Sequence, residues 1–153
     1  MRALELKIPP MVVLALVAGL MWLGAKAVPA AGFSLPARSA IALGIAAVGM
    51  SVALAGVISF RIAKTTVNPL KPETASQLVV SGIYHVTRNP MYLGAFVSLI
   101  GWAVLLANAV AFVVSITFVL YLNRFQIIPE EKALTARFGS EFIAYCAKVR
   151  RWI

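Results

Sequence analysis

Two stretches of this chain combine the residue types that chemistry needs. The first, residues 81–94, carries Tyr84, His85, Arg88, Asn89 and Tyr92 and ends at Gly94. Asn89 before Pro90 is a helix-start signal, an Asx cap with proline at the first helical position. Such a start leaves the first-turn amides and the positive dipole end free for an anionic group. Asn89 and Tyr92, three apart, share a helix face, and Gly94 leaves backbone open to close approach. The second stretch, residues 127–134, contains Pro129, Glu130, Glu131 and Lys132. Pro129 reads as the start of a new helix whose first-turn acids suit the dipole. Neighbouring helical positions point about 100° apart, so one carboxylate can face inward while the other serves the surface. By residue chemistry alone, a capped membrane helix with a Tyr anchor at headgroup level is the simpler account of the first stretch.

The elements that must position these residues are membrane helices. Of 153 residues, 61% are hydrophobic and 12% charged, outside the range of ordinary soluble domains and of nucleic-acid modules or disordered tails. The charges leave three uncharged runs, 8–25, 39–60 and 89–123. A crossing needs roughly 20 apolar residues, so the third run is too long for one and must fold back. Asn108, the one amide well inside it, is the natural tip. The reading is a single all-α domain over residues 1–153: an integral membrane bundle of four transmembrane helices, at about 9–25, 39–60, 90–107 and 109–128, with a cytoplasmic C-terminal helix at about 129–148. Arg2 and Lys7 ahead of the first run also suit a signal peptide, but the run is long and residues 22–26 make a poor cleavage site. Leu134, Phe138, Phe142 and Tyr145 recur at helical spacing and form an apolar stripe for that last helix.

Charge sets the orientation. With four spans, Arg2 and Lys7, the middle-loop cations Arg61, Lys64, Lys71 and Arg88, and the six C-terminal Lys and Arg share one side, leaving only Lys26 and Arg38 opposite. Positive loops stay cytoplasmic, so both termini and all five acids, Glu5, Glu73, Glu130, Glu131 and Glu141, are expected there, in a bacterial inner membrane. The net charge of +9 suits anionic lipid headgroups better than nucleic acid. One Cys and one His give no recognisable metal-ligand set, and no metal is expected. The three uncharged runs contain no Asp, Glu, Lys, Arg or His of the kind that ion-coupled transport requires. Small residues such as Gly44, Gly49, Gly56 and Gly101 read as helix-packing positions.

The ordered pattern Gly82-x-Tyr84-x-x-x-Arg88-Asn89-Pro90-x-Tyr92-x-Gly94, an apolar hairpin, then Pro129-Glu130-Glu131-x-x-Leu134, Phe138-Gly139, Phe142, Tyr145 and Val149-x-Arg151-Trp152, resembles the isoprenylcysteine carboxyl methyltransferase family and its phospholipid methyltransferase relatives. It covers about the last 75 residues. The resemblance implies an S-adenosylmethionine-dependent membrane methyltransferase without a Rossmann domain, acting by carboxylate O-methylation or amine N-methylation on a lipidic or small hydrophobic acceptor. Carried over position by position, Tyr84, Arg88, Asn89, Pro90, Tyr92, Gly94, Glu131, Arg151 and Trp152 would border the cofactor, and Glu130 with Glu131 would act in catalysis. This chain departs from the family pattern in having Asn89 where many members have His, His85 where Arg is frequent, and Gln126 where some have a basic residue. The competing reading is a non-enzymatic four-helix scaffold or complex subunit whose motifs are only caps and anchors.

Overall fold

The computed structural model describes residues 5–64 and 76–153. Arg2, Lys71 and Glu73, which entered the charge reading, lie outside the described residues. Everything regular among the described residues is helical: α1 (Pro10–Ala27), α2 (Arg38–Ile62), α3 (Pro90–Leu106), α4 (Ala109–Leu122), α5 (Ile128–Phe138) and α6 (Ser140–Lys148). Two 3-10 turns, Pro29–Ala31 and Gly82–His85, and a π-turn, Asn123–Ile127, join them. Three helices are long and apolar enough to cross a membrane: Pro10–Ala27, Arg38–Ile62 and the continuous Ala109–Phe138. The 17-residue α3 is apolar and slightly shorter.

α3 is the central rod, touching α1, α2 and α4. Its contact with α2 depends on absent side chains. A Cβ on Gly94 would run into the Gly49 carbonyl and lie 2.7 Å from the Ala53 amide; one on Gly101 would lie 2.9 Å from the Ala42 carbonyl. Small residues thus let the two backbones touch, the device that replaces hydrophobic driving force between helices in lipid. The inner faces of α1, α3 and α4 meet around Met21, Ala103, Ala111 and Phe118, each fully buried. Outward, Leu16, Leu43 and Val113 are at least 60% exposed, an arrangement suited to hydrocarbon and costly in water.

The turn between α3 and α4 falls at Asn108. Its Oδ1 caps α4 by accepting from the Val110 amide at 2.9 Å, and its Nδ2 donates to the Val28 carbonyl at 2.9 Å, so the buried amide ties the hairpin to the end of α1. Two expectations about the C-terminal half are corrected. Pro129 does not start a separate helix. Proline has no N–H for the carbonyl four residues back and crowds it. Here the chain widens into the π-turn, Ile128 N–H reaches the Asn123 carbonyl, and the Phe125 carbonyl accepts from Leu6 N–H at 3.0 Å instead. The helix therefore runs through. Nor is 129–148 one helix: Gly139, at φ 53° and ψ −125°, breaks it into α5 and α6. The apolar stripe nonetheless closes on itself, with Phe142, Tyr145 and Val149 buried against Leu134, Phe138, Leu78 and Val80.

Candidate functional site

At the end of the bundle where α3 begins and α4 runs out, three segments converge. Gly82, at φ 62°, starts a 3-10 turn that lays the chain along α2 and leads into α3. The C-terminal residues 150–152 then run beside residues 87–89. The Arg88 amide donates to the Arg150 carbonyl at 3.1 Å. The Arg151 carbonyl accepts from Asn89 Nδ2 at 2.9 Å and from Thr87 Oγ1 at 3.3 Å. Asn89 is thus not an Asx cap: its side chain makes no capping bond and clamps the C-terminal segment instead, while its own N–H donates to Thr87 Oγ1. Trp152 completes the closure, its indole N–H donating to Asn123 Oδ1 at 3.1 Å and its ring packing against the core cluster that includes Tyr92, Leu122 and Ile127.

The two neighbouring carboxylates have different partners. Glu131 is held by both arginines: Arg151 binds it bidentately, Nε to Oε1 at 3.0 Å and Nη2 to Oε2 at 2.7 Å, and Arg88 Nη1 lies 3.2 Å from Oε1. Fork-to-fork pairing of this kind is the strong form of the interaction. Its hydrogen bonds to Glu131 raise the Arg151 guanidinium above its ordinary pKa. Arg88 Nη1 also contacts Cys146 Sγ, and its buried Nε has no hydrogen-bond partner. Glu130 receives only neutral donors among its described hydrogen bonds, the Tyr92 hydroxyl and Gln126 Nε2, both at 2.6 Å to Oε1. Neither carboxylate serves the surface; both are partly buried between segments.

Residues 109–127 make about 28 Å of helix, enough for the hydrocarbon core, and Glu130 lies beyond them. Burial pushes its carboxyl up to about 7, against the opposing pull of the Tyr92 and Gln126 hydrogen bonds, which favour the ionised form. Burial likewise raises the Tyr84 and Tyr145 hydroxyls above the usual tyrosine value.

Of the residues singled out from sequence, Arg88, Asn89, Tyr92, Glu130, Glu131, Arg151 and Trp152 come together here. Pro90 and Gly94 do not; they pack elsewhere, while Tyr84 stands at the edge of the cluster, near enough for the Glu130 charge to act on its hydroxyl. Tyr84 is 5% exposed, sets its ring edge-on to Phe60 at 5.4 Å, and takes the Tyr145 hydroxyl on its carbonyl at 2.7 Å. Pro90 and Gly94, one turn apart, both face α2, where a Cβ on Gly56 would meet Pro90 at 3.0 Å. The close approach at Gly94 is therefore that of a neighbouring helix. Sequence reasoning gave no role to Thr87 and Asn123, which look like ordinary loop and span-end residues until the C-terminus folds back on them. Gln126 was visible only as a departure from the family pattern. A concavity lined by Gly32, Phe33, Arg38 and Asn108 lies at the other end of the bundle, away from all these groups. Among the described residues no cluster of three or more His, Cys, Asp or Glu side chains is placed to hold a metal ion.

Parts of this chain are similar to known proteins. An uncharacterised protein of Haemophilus influenzae is 43% identical over 63 residues, 41% of this chain and all of that protein. Protein-S-isoprenylcysteine O-methyltransferase of Saccharomyces cerevisiae is 39% identical over 82 residues, 52% of this chain; the match spans only 33% of the yeast enzyme. No solved structure matches. The phospholipid methyltransferase family pattern matches residues 37–141, from the start of α2 through the paired carboxylates to α6. That match takes in more than half the chain, including the small-residue contact of α2 with α3 and both glutamates, and the chain belongs to the phospholipid methyltransferase family.

Proposed function

We propose that this chain is an integral-membrane methyltransferase that uses S-adenosylmethionine and methylates a lipidic or small hydrophobic acceptor, at a carboxylate or an amine, on the cytoplasmic face of a bacterial inner membrane. One observation carries the reading: residues far apart in sequence, Arg88, Tyr92, Glu130, Glu131 and Arg151, interlock at one end of an apolar bundle. α3 serves as the fourth crossing, which puts twelve of the fourteen Lys and Arg on the side of this cluster. A C-terminal green fluorescent protein fusion is expected to fluoresce and a C-terminal alkaline phosphatase fusion to be inactive; the opposite pattern overturns the orientation.

The donor set fits the cofactor. Its amino-acid end carries an ammonium and a carboxylate, and its other end a purine and a ribose. The site offers the Glu131 carboxylate, two guanidiniums, a buried Arg88 Nε still seeking an acceptor, and the indole of Trp152. When bound, S-adenosylmethionine supplies an electrophilic methyl carbon on a sulfonium. Arg88, Asn89, Tyr92, Glu131, Arg151 and Trp152 hold and enclose it, the C-terminal segment acting as the wall that excludes water. Displacement at such a carbon needs positioning more than acid or base, which explains how so few polar residues suffice. Glu130 is the group left to act on the acceptor, because Glu131 is neutralised by its arginines. A carboxylate acceptor arrives ionised and needs only alignment; an amine acceptor also needs a proton removed. The family name and the yeast relative's name both point to acceptors with a lipid portion.

The test is equilibrium binding of radiolabelled S-adenosylmethionine to detergent-purified protein, followed by incubation with a total membrane extract and identification of the labelled product. Saturable binding and a labelled membrane component are expected. No saturable binding by the wild-type protein ends the proposal and favours a structural subunit.

A further inference from the structure

Glu130 is placed by its neighbours in a way that catalytic alignment would require and simple packing would not. Both arginines are committed to Glu131, and the two donors to Glu130 are uncharged. Both reach the same oxygen, Oε1, from different elements, Tyr92 from α3 and Gln126 from the π-turn. Two donors fixed on one oxygen set the plane of the carboxylate and direct its other oxygen. Gln126 is 2% exposed, so its amide sits in a nearly water-free position where an apolar residue would be the cheaper choice. It lies in the π-turn whose first residue, Asn123, anchors Trp152.

We infer that Gln126 is a positioning residue for methyl transfer: with Tyr92 it holds Oε1 of Glu130, so that Oε2 of an ionised Glu130 is the oxygen presented to the reacting groups. The inference rests on the methyltransferase reading. It deepens that reading by assigning a role to a position at which this chain departs from the family pattern. A guanidinium or ammonium there would pair with Glu130 and cancel its charge; a neutral amide orients the carboxylate and leaves the charge in place. The groups facing Glu130 are Tyr92 on α3, Gln126, the adjacent Glu131, and Tyr84 on the 3-10 turn. With Glu131 already neutralised by Arg88 and Arg151, the Gln126 amide is one of two contacts that favour ionisation.

The experiment compares wild type, Gln126→Met and Gln126→Glu in detergent or nanodiscs. It measures S-adenosylmethionine affinity, then the rate of methyl transfer to total membrane extract at saturating cofactor from pH 5.5 to 9. Met keeps the volume and removes the donor. The expected result is cofactor affinity within about threefold of wild type, a maximal rate about tenfold lower, and an acidic limb displaced upward by about one pH unit, as loss of one hydrogen bond to the charged form dictates. Gln126→Glu, which keeps the shape and adds a like charge, is expected to displace the limb further in the same direction, and it serves as the test if Gln126→Met fails a thermal-unfolding check. A wild type that transfers methyl groups while both variants keep its rate and pH profile overturns the inference alone. A wild type that transfers none overturns the functional reading, and the inference with it.

Discussion

Glu131→Gln is expected to weaken S-adenosylmethionine binding at least about 100-fold and to lower folding stability by about 2–3 kcal/mol, somewhat less than the roughly 3–5 kcal/mol for removing one partner of a fully buried ion pair. The reduction from the full range reflects exposure: the Glu131, Arg88 and Arg151 side chains are 22%, 14% and 34% accessible, so water screens part of the interaction. The amide that replaces the carboxylate cannot accept from both arginines at full strength and leaves two guanidiniums facing each other. Arg88 lies deepest, and its Nε already lacks a partner. Repulsion then pushes Arg151 outward, and with it the backbone carbonyl that Asn89 and Thr87 hold. Losing that wall opens the site to water. Cofactor titration and thermal unfolding in detergent check the two parts separately. A variant that binds cofactor as wild type does would remove Glu131 from the site.

Glu130→Gln should behave in the opposite way. It preserves shape and a polar contact for Tyr92 while removing the charge left to act on the acceptor, so cofactor affinity should change by less than about threefold while methyl transfer falls by about 10²–10⁴. Its pH signature follows from burial. The folded-state carboxyl sits at about 7, above the ordinary 4.5, so the folded protein binds more protons than the unfolded chain between those values. Stability from this group is present below the lower value and lost as pH rises through the higher one, whereas the ionised, working form appears only over that same rise. Wild-type rate should therefore climb between about pH 6 and 8 as Glu130 ionises. Glu130→Gln should flatten the limb, and at pH 8 it should be at least as stable as wild type. An inactive variant that is also markedly less stable at pH 8 would show that Glu130 holds structure and has no separate part in the reaction.

How much of this was legible beforehand depended on whether a residue's partner was near in sequence or in pattern. Asn108 could be found as the hairpin tip because an amide inside an apolar run must sit where backbone groups can satisfy it. The carboxylate pair and the Arg88–Tyr92 stretch could be found as a linked set through the family resemblance, but nothing local told Glu130 from Glu131. Their difference comes from which of two adjacent helical directions meets Arg151, a residue twenty positions on. Gly94 could be read as a place of close approach, but a missing side chain does not say what fills its place, and only the crossing of α2 decides. Asn89 was given a capping role by a rule that counts local donors. A distant carbonyl competed and won. The break at Gly139 was hidden because apolar spacing continues across it, and spacing carries no record of a positive φ. Pro129 was read as a beginning because proline favours the first turn of a helix, and nothing local signals the wider turn that lets it sit inside one.

That wider turn fixes the phase of everything after it. It holds one residue more than an α-helical turn over nearly the same length. Had residues 123–127 wound as ordinary α-helix, each later side chain would have slipped forward by one place, about 100° around the axis. The slot opposite the Tyr92 hydroxyl would then hold Pro129, Glu130 would have slid in among the arginines, and Glu131 would have swung clear of both. The helix thus works as a vernier, and a single supernumerary residue sets which acid meets which base.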